Sequence, residues 1–150
     1  MNNNKIINFI KKKNKSKLVT LTAYSKNIAS IIDKHCDLIL VGDSLASVLY
    51  NYKSTKKVTL NTMIEHSKSV RMGVKKSLMV VDMPFNTYRN PKEALKNAKL
   101  IMNKTKCDAV KLEGGKKIYN IVVTLIKNKI PVMGHVGVLP QSAKNFKFKG

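Results

Sequence analysis

Apolar residues along this chain fall into five short, nearly continuous runs: KLVTLTAY at 17–24, DLILVGD at 37–43, SLMVVD at 77–82, DAVKLE at 108–113 and IPVMGH at 130–135. Their β-branched content and lack of polar alternation fit strands covered on both faces, as in a parallel sheet. The intervening stretches change period. Ile28, Ile31 and Ile32, then Leu60, Met63, Ile64, Ser67 and Val70, then Ile118, Ile121, Val122, Leu125 and Ile126 recur at helical spacing with one buried face. In RNPKEALKNAKLIM, Asn90 is placed to cap, Pro91 suits the first helical position, and Glu93 stands where a capping box needs it. The order is βαβαβαβαβ, and no Pro-, Gly- or Ser-rich linker divides it, so a single domain over residues 1–150 is expected. Residues 1–16 read as a basic N-terminal helix and linker, and 17–150 as strands one to five with their helices.

Both an open doubly wound sheet and a (β/α)₈ barrel accept that order, and in either one ligands bind at the carboxyl ends of the strands. The chain has only eight acidic residues, and three of them, Asp43, Asp82 and Glu113, close predicted strands; His135 closes the next. Grouped carboxylates repel one another and persist mainly where a cation or a proton neutralises them. An oxygen-only set without a Cys or His cluster favours Mg²⁺ over Zn²⁺. The alternative is that each acid caps the helix after its strand. Lys111 and Glu113 are two apart and share a strand face: turned inward they set a cation beside an anion for an anionic substrate, turned outward they form a surface pair worth little. Gly114-Gly115 reads equally well as a tight βα turn or a weak phosphate loop.

The formal charge of +21 first suggests a nucleic-acid binder. Arg71 and Arg89 are the only arginines, however, and the lysines are spread over every segment with many Asn and Ile, as an A+T-rich coding sequence imposes. No nucleic acid is therefore expected as a partner. Cys36 and Cys107 are isolated and read as small buried hydrophobes in a reducing cytoplasm. No apolar run reaches the roughly 20 residues that span a bilayer, and no cleavable leader is evident, so neither a membrane nor export is expected.

The segments LTAYS (21–25), LVGDSLAS (40–47), ST then VTL (54–60), MIEHSKSV (63–70), VVDMPFNTY (80–88), AVKLEGG (109–115) and IPVMGHVGVLPQS (130–142) together resemble the ketopantoate hydroxymethyltransferase family, in that family's order. The resemblance implies a (β/α)₈ TIM barrel of the phosphoenolpyruvate/pyruvate type, of which about the first five β/α units lie in this chain. It implies transfer of a one-carbon unit from 5,10-methylenetetrahydrofolate to 3-methyl-2-oxobutanoate, giving ketopantoate for pantothenate and coenzyme A synthesis. It implies Mg²⁺ on Asp43, Asp82 and Glu113, and the keto acid on Asp43, Ser44, Asp82, Lys111 and His135, with Lys111 as an electrostatic helper. It also implies a large homo-oligomer, a decamer, in the cytoplasm, with small-molecule substrates. The family's general base, a glutamate, is expected beyond Gly150, because a full barrel needs about 250 residues. An inactive remnant of such an enzyme is the runner-up reading, and a basic nucleic-acid-binding protein comes after it. The chain departs from the family pattern at Ser25, Ala46, Asn51 and Leu139, and the loop after Ser142 is expected to be shortened.

Overall fold

A computed structural model describes residues 3–142 of the chain. Helix α1 (Asn3–Ile10) leads into β1 (Thr20–Thr22), α2 (Lys26–Ile32), β2 (Leu38–Val41) and α3 (Leu45–Val48). A 3₁₀ turn at Thr55–Lys57 precedes α4 (Leu60–Gly73), β3 (Leu78–Asp82), α5 (Pro91–Thr105) and β4 (Ala109–Glu113). A second 3₁₀ turn, Gly115–Ile118, runs into α6 (Tyr119–Lys127), and β5 (Val132–His135) follows. The five strands form one parallel sheet in the order β1-β2-β3-β4-β5. Each strand thus pairs with its successor in sequence, the order of a barrel wall, whereas a doubly wound sheet reverses direction partway.

Alternation along the strands separates two apolar layers. Ile39, Val41, Met79, Val81, Val110 and Leu112 turn outward into the main core, beneath Ala29, Met63, Val70, Ala98, Ile101, Ile121 and Leu125 of the helices. Leu38, Leu78 and Val80 turn inward with Leu40, Ala109 and Met133, and Ile6 and Phe9 of α1 pack on them. The inward rows then change character toward the strand ends, as Leu78 and Val80 give way to Asp82, and Ala109 to Lys111 and Glu113. Helix α1 therefore covers the apolar pole of the concave face and leaves the polar pole to other groups.

Local signals account for the helix starts. The Asn90 side chain accepts the Glu93 amide at 2.9 Å, with Pro91 in the first turn. The Glu93 carboxylate accepts the Arg89 amide at 2.9 Å and pairs with the Arg89 side chain, so the return bond of the expected box lands one residue early. Thr59 caps α4 through the Thr62 amide. Asn51 has φ 52, a conformation Asn tolerates in place of glycine. At the βα turn after β4, Gly114 has φ 147 and Gly115 φ 55, and a Cβ on Gly114 would meet Ile118 at 2.7 Å.

Three expectations change. The first strand is three residues long and exposed throughout, not 17–24 and doubly covered, because among the described residues it has a neighbour only in β2. In α2 the buried residue is Ala29, while Ile28 and Ile31 are exposed. The cause is Gly73, where an added Cβ would lie 2.5 Å from the Lys26 carbonyl and 2.8 Å from the Ser30 amide: α4 and α2 meet backbone to backbone, so the small residue rather than the isoleucines sits in the contact. In α6, Ile121 and Leu125 are buried but Ile126 is exposed. The expected shortening after Ser142 lies outside the described residues. Both cysteines are free and buried, as expected, and among the described residues no helix is long and apolar enough to cross a membrane.

Gly73→Ala forces α2 away from α4 and should cost about 1–3 kcal/mol, read as a lower urea midpoint at unchanged slope; a midpoint equal to the parent's would contradict the close helix contact.

Candidate functional site

Parallel pairing puts every strand's carboxyl end at one pole, and the register sets which side chains face each other there. Asp82 lies opposite Lys111, and Glu113 opposite His135. Asp43 follows β2 by two residues, past Gly42 and just before α3. Sequence spacing therefore brings Asp43, Ser44, Asp82, Lys111, Glu113 and His135 to a common mouth.

The partners differ from the simplest expectation. Lys111 Nζ donates to Asp82 Oδ1 at 2.8 Å, so its anion is the cross-strand neighbour rather than Glu113 on its own strand. The inward orientation follows from this bond and from Val110 and Leu112 facing the helices. Asp82 Oδ2 accepts the Asp43 amide at 3.2 Å, which ties the end of β2 to the end of β3. Ser44 Oγ lies 2.8 Å from the Tyr24 hydroxyl, which fixes it from the end of β1. His135 Nδ1 is 3.4 Å from Glu113 Oε2 but makes no hydrogen bond, and it is buried. Burial, followed by the charge of Lys111, holds the His135 pKa below its ordinary value, so the ring is neutral at pH 7. The contact with Glu113 is then not an ion pair.

Gln141, in the segment after β5, was not singled out in the sequence. Its amide Nε2 donates to Asp43 Oδ2 at 2.8 Å and to the Met83 carbonyl at 3.1 Å. Its backbone amide donates to Glu113 Oε1 at 2.6 Å. The Tyr88 hydroxyl, 3.2 Å from the Glu113 carbonyl, also reaches Gln141 Oε1. The only signal in the sequence for this role was the LPQS stretch within a longer motif, which does not disclose which strand its glutamine reaches.

The eight acids divide by position, and the division decides between capping and a site. Asp33 accepts the amides of Lys75, Lys76 and Ser77; burial works against its ionisation, but these bonds hold its pKa below the usual range. Asp37 accepts the Val19 amide and pairs with Lys12, and Asp108 accepts the Met79 amide. Asp37 and Asp108 sit at the amino ends of strands, and Asp33, at the C-cap of α2, holds the turn that enters β3; all three serve the backbone. Glu65 and Glu93 pair with Lys68 and Arg89 on helix surfaces. Asp43, Asp82 and Glu113 behave differently. None of them supplies a side-chain cap to the element that follows it, since α3 and the 3₁₀ turn after β4 have no side-chain cap and α5 uses Asn90. Burial raises Asp82 to about 6 against the pull of Lys111, and burial likewise raises Glu113 despite the Gln141 amide. Asp43 acts in the same direction on both.

Such a set favours a hard cation. Three carboxylates and one ammonium formally leave two negative charges, and Asp43 with Asp82 supplies a carboxylate pair of the kind Mg²⁺ takes alongside water and substrate oxygens. The third acid stands apart. Among the described residues no group of three His, Cys, Asp or Glu side chains is arranged to hold one ion, and Glu113 has one oxygen, Oε1, on the Gln141 amide. The residues thus fit a divalent ion through Asp43 and Asp82. A cleft of about 210 Å³ bordered by Phe85, Tyr88, Arg89, Glu113, Lys117 and Gln141 opens beside Glu113.

Comparisons with known proteins give the family and the fold. The family model for ketopantoate hydroxymethyltransferase matches residues 3–150. A 3-methyl-2-oxobutanoate hydroxymethyltransferase of Pelagibacter ubique is 81% identical over 148 residues, covering 99% of this chain and 58% of that protein. One from Rhizobium etli is 52% identical over 128 residues, covering 85% and 47%. The chain thus spans about half the length of the curated relatives it matches. Among solved structures, a phosphonopyruvate hydrolase complex with oxalate and Mg²⁺ superposes with a TM-score of 0.67 at 9% identity, covering 87% of this chain and 51% of that one. A 2,3-dimethylmalate lyase of the PEP mutase/isocitrate lyase superfamily superposes with a TM-score of 0.62 at 13% identity, over 87% and 52%. These likenesses establish the fold, a (β/α)₈ barrel of which this chain carries about half.

Lys111→Met leaves Asp82 buried without its cation. Because the folded-state pKa of Asp82 lies above its ordinary value, ionising Asp82 costs stability, and that cost grows as pH rises from about 4 through 6. The variant should lose about 3 kcal/mol at pH 8 and less at pH 5, where Asp82 holds a proton; urea titrations giving equal losses at both pH values would contradict the pairing.

Proposed function

The chain belongs to the ketopantoate hydroxymethyltransferase family, and from that premise we propose that it forms the Mg²⁺-binding half of an enzyme that transfers a hydroxymethyl group from 5,10-methylenetetrahydrofolate to 3-methyl-2-oxobutanoate. The product is ketopantoate, on the route to pantothenate and coenzyme A. The observation that carries this reading is the meeting of Asp43, Asp82, Ser44 and Lys111 at the strand ends of a parallel sheet, within a match at 81% identity. On this reading the chain is one domain, acts in the cytoplasm and assembles with copies of itself.

The reaction requires removal of a proton from the carbon beside a ketone, followed by attack of that carbon on the donor's methylene group. Asp43 and Asp82 would hold the Mg²⁺, with Glu113 beside them; bound there, the ion supplies a Lewis acid for the keto and carboxylate oxygens of the 2-oxo acid. Lys111 places an ammonium where negative charge grows as the proton leaves, in a buried setting that strengthens its effect. Ser44, steadied by Tyr24, offers a hydroxyl to the substrate carboxylate. His135, neutral beside Glu113, presents a polar group to the same volume without adding charge. We place the proton acceptor in the length of the relatives that this chain does not span.

In the full chain as its gene encodes it, the methine proton of 3-methyl-2-oxobutanoate should exchange in D₂O only with Mg²⁺ present, as followed by NMR. Asp82→Asn should slow that exchange at least about 100-fold. Exchange that is indifferent to Mg²⁺, or that survives Asp82→Asn unchanged, would refute the assignment.

A further inference from the structure

The three acids at the mouth come from three strands, and one side chain reaches across them. Gln141 is 98 positions from Asp43 and only 5% exposed, yet its Nε2 lies 2.8 Å from Asp43 Oδ2. A primary amide has two donor hydrogens and one acceptor oxygen, and all are in use: the hydrogens on Asp43 and Met83, the oxygen on the Tyr88 hydroxyl. Since the carboxylate and the carbonyl only accept, the amide orientation is fixed, with nitrogen toward Asp43 and oxygen toward Tyr88. The backbone amide of the same residue holds Glu113 Oε1. Asp43 in turn passes the constraint on, because its own amide donates to Asp82 Oδ2.

We infer that Gln141 is a positioning residue for the divalent cation: its side-chain amide occupies Oδ2 of Asp43, leaving Oδ1 for the ion, and its backbone amide draws Glu113 toward the mouth. This rests on the functional reading above. Among the described residues Asp43 Oδ1 accepts no hydrogen bond, so one oxygen of the carboxylate is committed and the other is free. Charge explains the residue type. A lysine at this position would cancel the charge that attracts the cation, and a glutamate would add a fourth carboxylate to a site whose acids already resist ionisation. A neutral donor of this length orients the carboxylate without changing the count. The same bonds carry the segment 136–142 back from the end of β5 over the ends of β4 and β2, so ordering of that segment and geometry of the acids are coupled.

Gln141→Met keeps the volume and removes the donors. In the full chain as its gene encodes it, Mn²⁺ titrated calorimetrically should bind the variant 10- to 100-fold more weakly, the loss expected when a partner of a metal ligand is removed. The measurement is made where circular dichroism shows the variant folded. Tyr88→Phe, which frees the amide oxygen and the Glu113 backbone carbonyl but leaves both amide hydrogens in place, should shift the dissociation constant by less than about threefold. Should Gln141→Met fail to fold, Gln141→Asn, which withdraws the same amide by one methylene, carries the same expectation. Parent-like Mn²⁺ affinity in the Gln141 variant, or an equal loss in Tyr88→Phe, would overturn the inference and leave the functional reading standing. A parent protein that binds no Mn²⁺ would overturn both.

Discussion

Parallel pairing is the constraint on which everything else here depends. When successive strands run the same way, each connection must return across the sheet on a helix, and every strand ends at the same pole. A residue placed last in one strand is thereby brought near the last residues of its neighbours, however far apart they lie in sequence. The registers Asp82 to Lys111 and Glu113 to His135 are the local expression of that rule. Hydrophobic burial holds the sheet: the outward rows pack under α4, α5 and α6, and the inward rows under α1. The mouth therefore inherits its geometry from the core, and its polar groups are placed at the expense of their own solvation.

That expense distinguishes the two ends of the sheet. At the amino ends, Asp33, Asp37 and Asp108 meet backbone amides and cations, and the carboxylates stitch loops to strands. At the carboxyl ends, Asp43, Asp82 and Glu113 share one lysine and one glutamine, and the ionised forms of Asp82 and Glu113 are disfavoured. Folding alone does not require acids in such a place. A bound cation would relieve the repulsion. The fold fixes where such chemistry takes place; the residue types at the strand ends decide which chemistry it is.

Much of this was legible in the sequence because it is periodic. The five apolar runs, the burial of Met63, Ile64, Ser67 and Val70 on α4, and the Asn90 cap follow from rules acting over a few residues. The position of the acids at strand ends was equally local. What was not legible depends on contacts between distant segments. Ile28 and Ile31 follow a helical apolar period but face outward, because the approach of α2 to α4 is set by Gly73, some 40 positions away. Glu113 is the nearest acid to Lys111 in sequence, yet the lysine bonds across strands to Asp82. Gln141 lies in a segment whose pattern shows nothing periodic, so its reach to Asp43 and Glu113 appears only once the chain has folded.

The proposed cation site lies among the carboxyl-end acids and not among the amino-end ones. Mn²⁺ titrated at low stoichiometry into isotope-labelled protein broadens the amide NMR signals of residues near the bound ion. A site at the carboxyl ends gives early loss of the signals of Asp43, Ser44, Asp82, Met83 and Glu113, with those of Asp33, Asp37 and Asp108 untouched. Early broadening at Asp33, Asp37 and Asp108, or uniform broadening across the sheet, would contradict it.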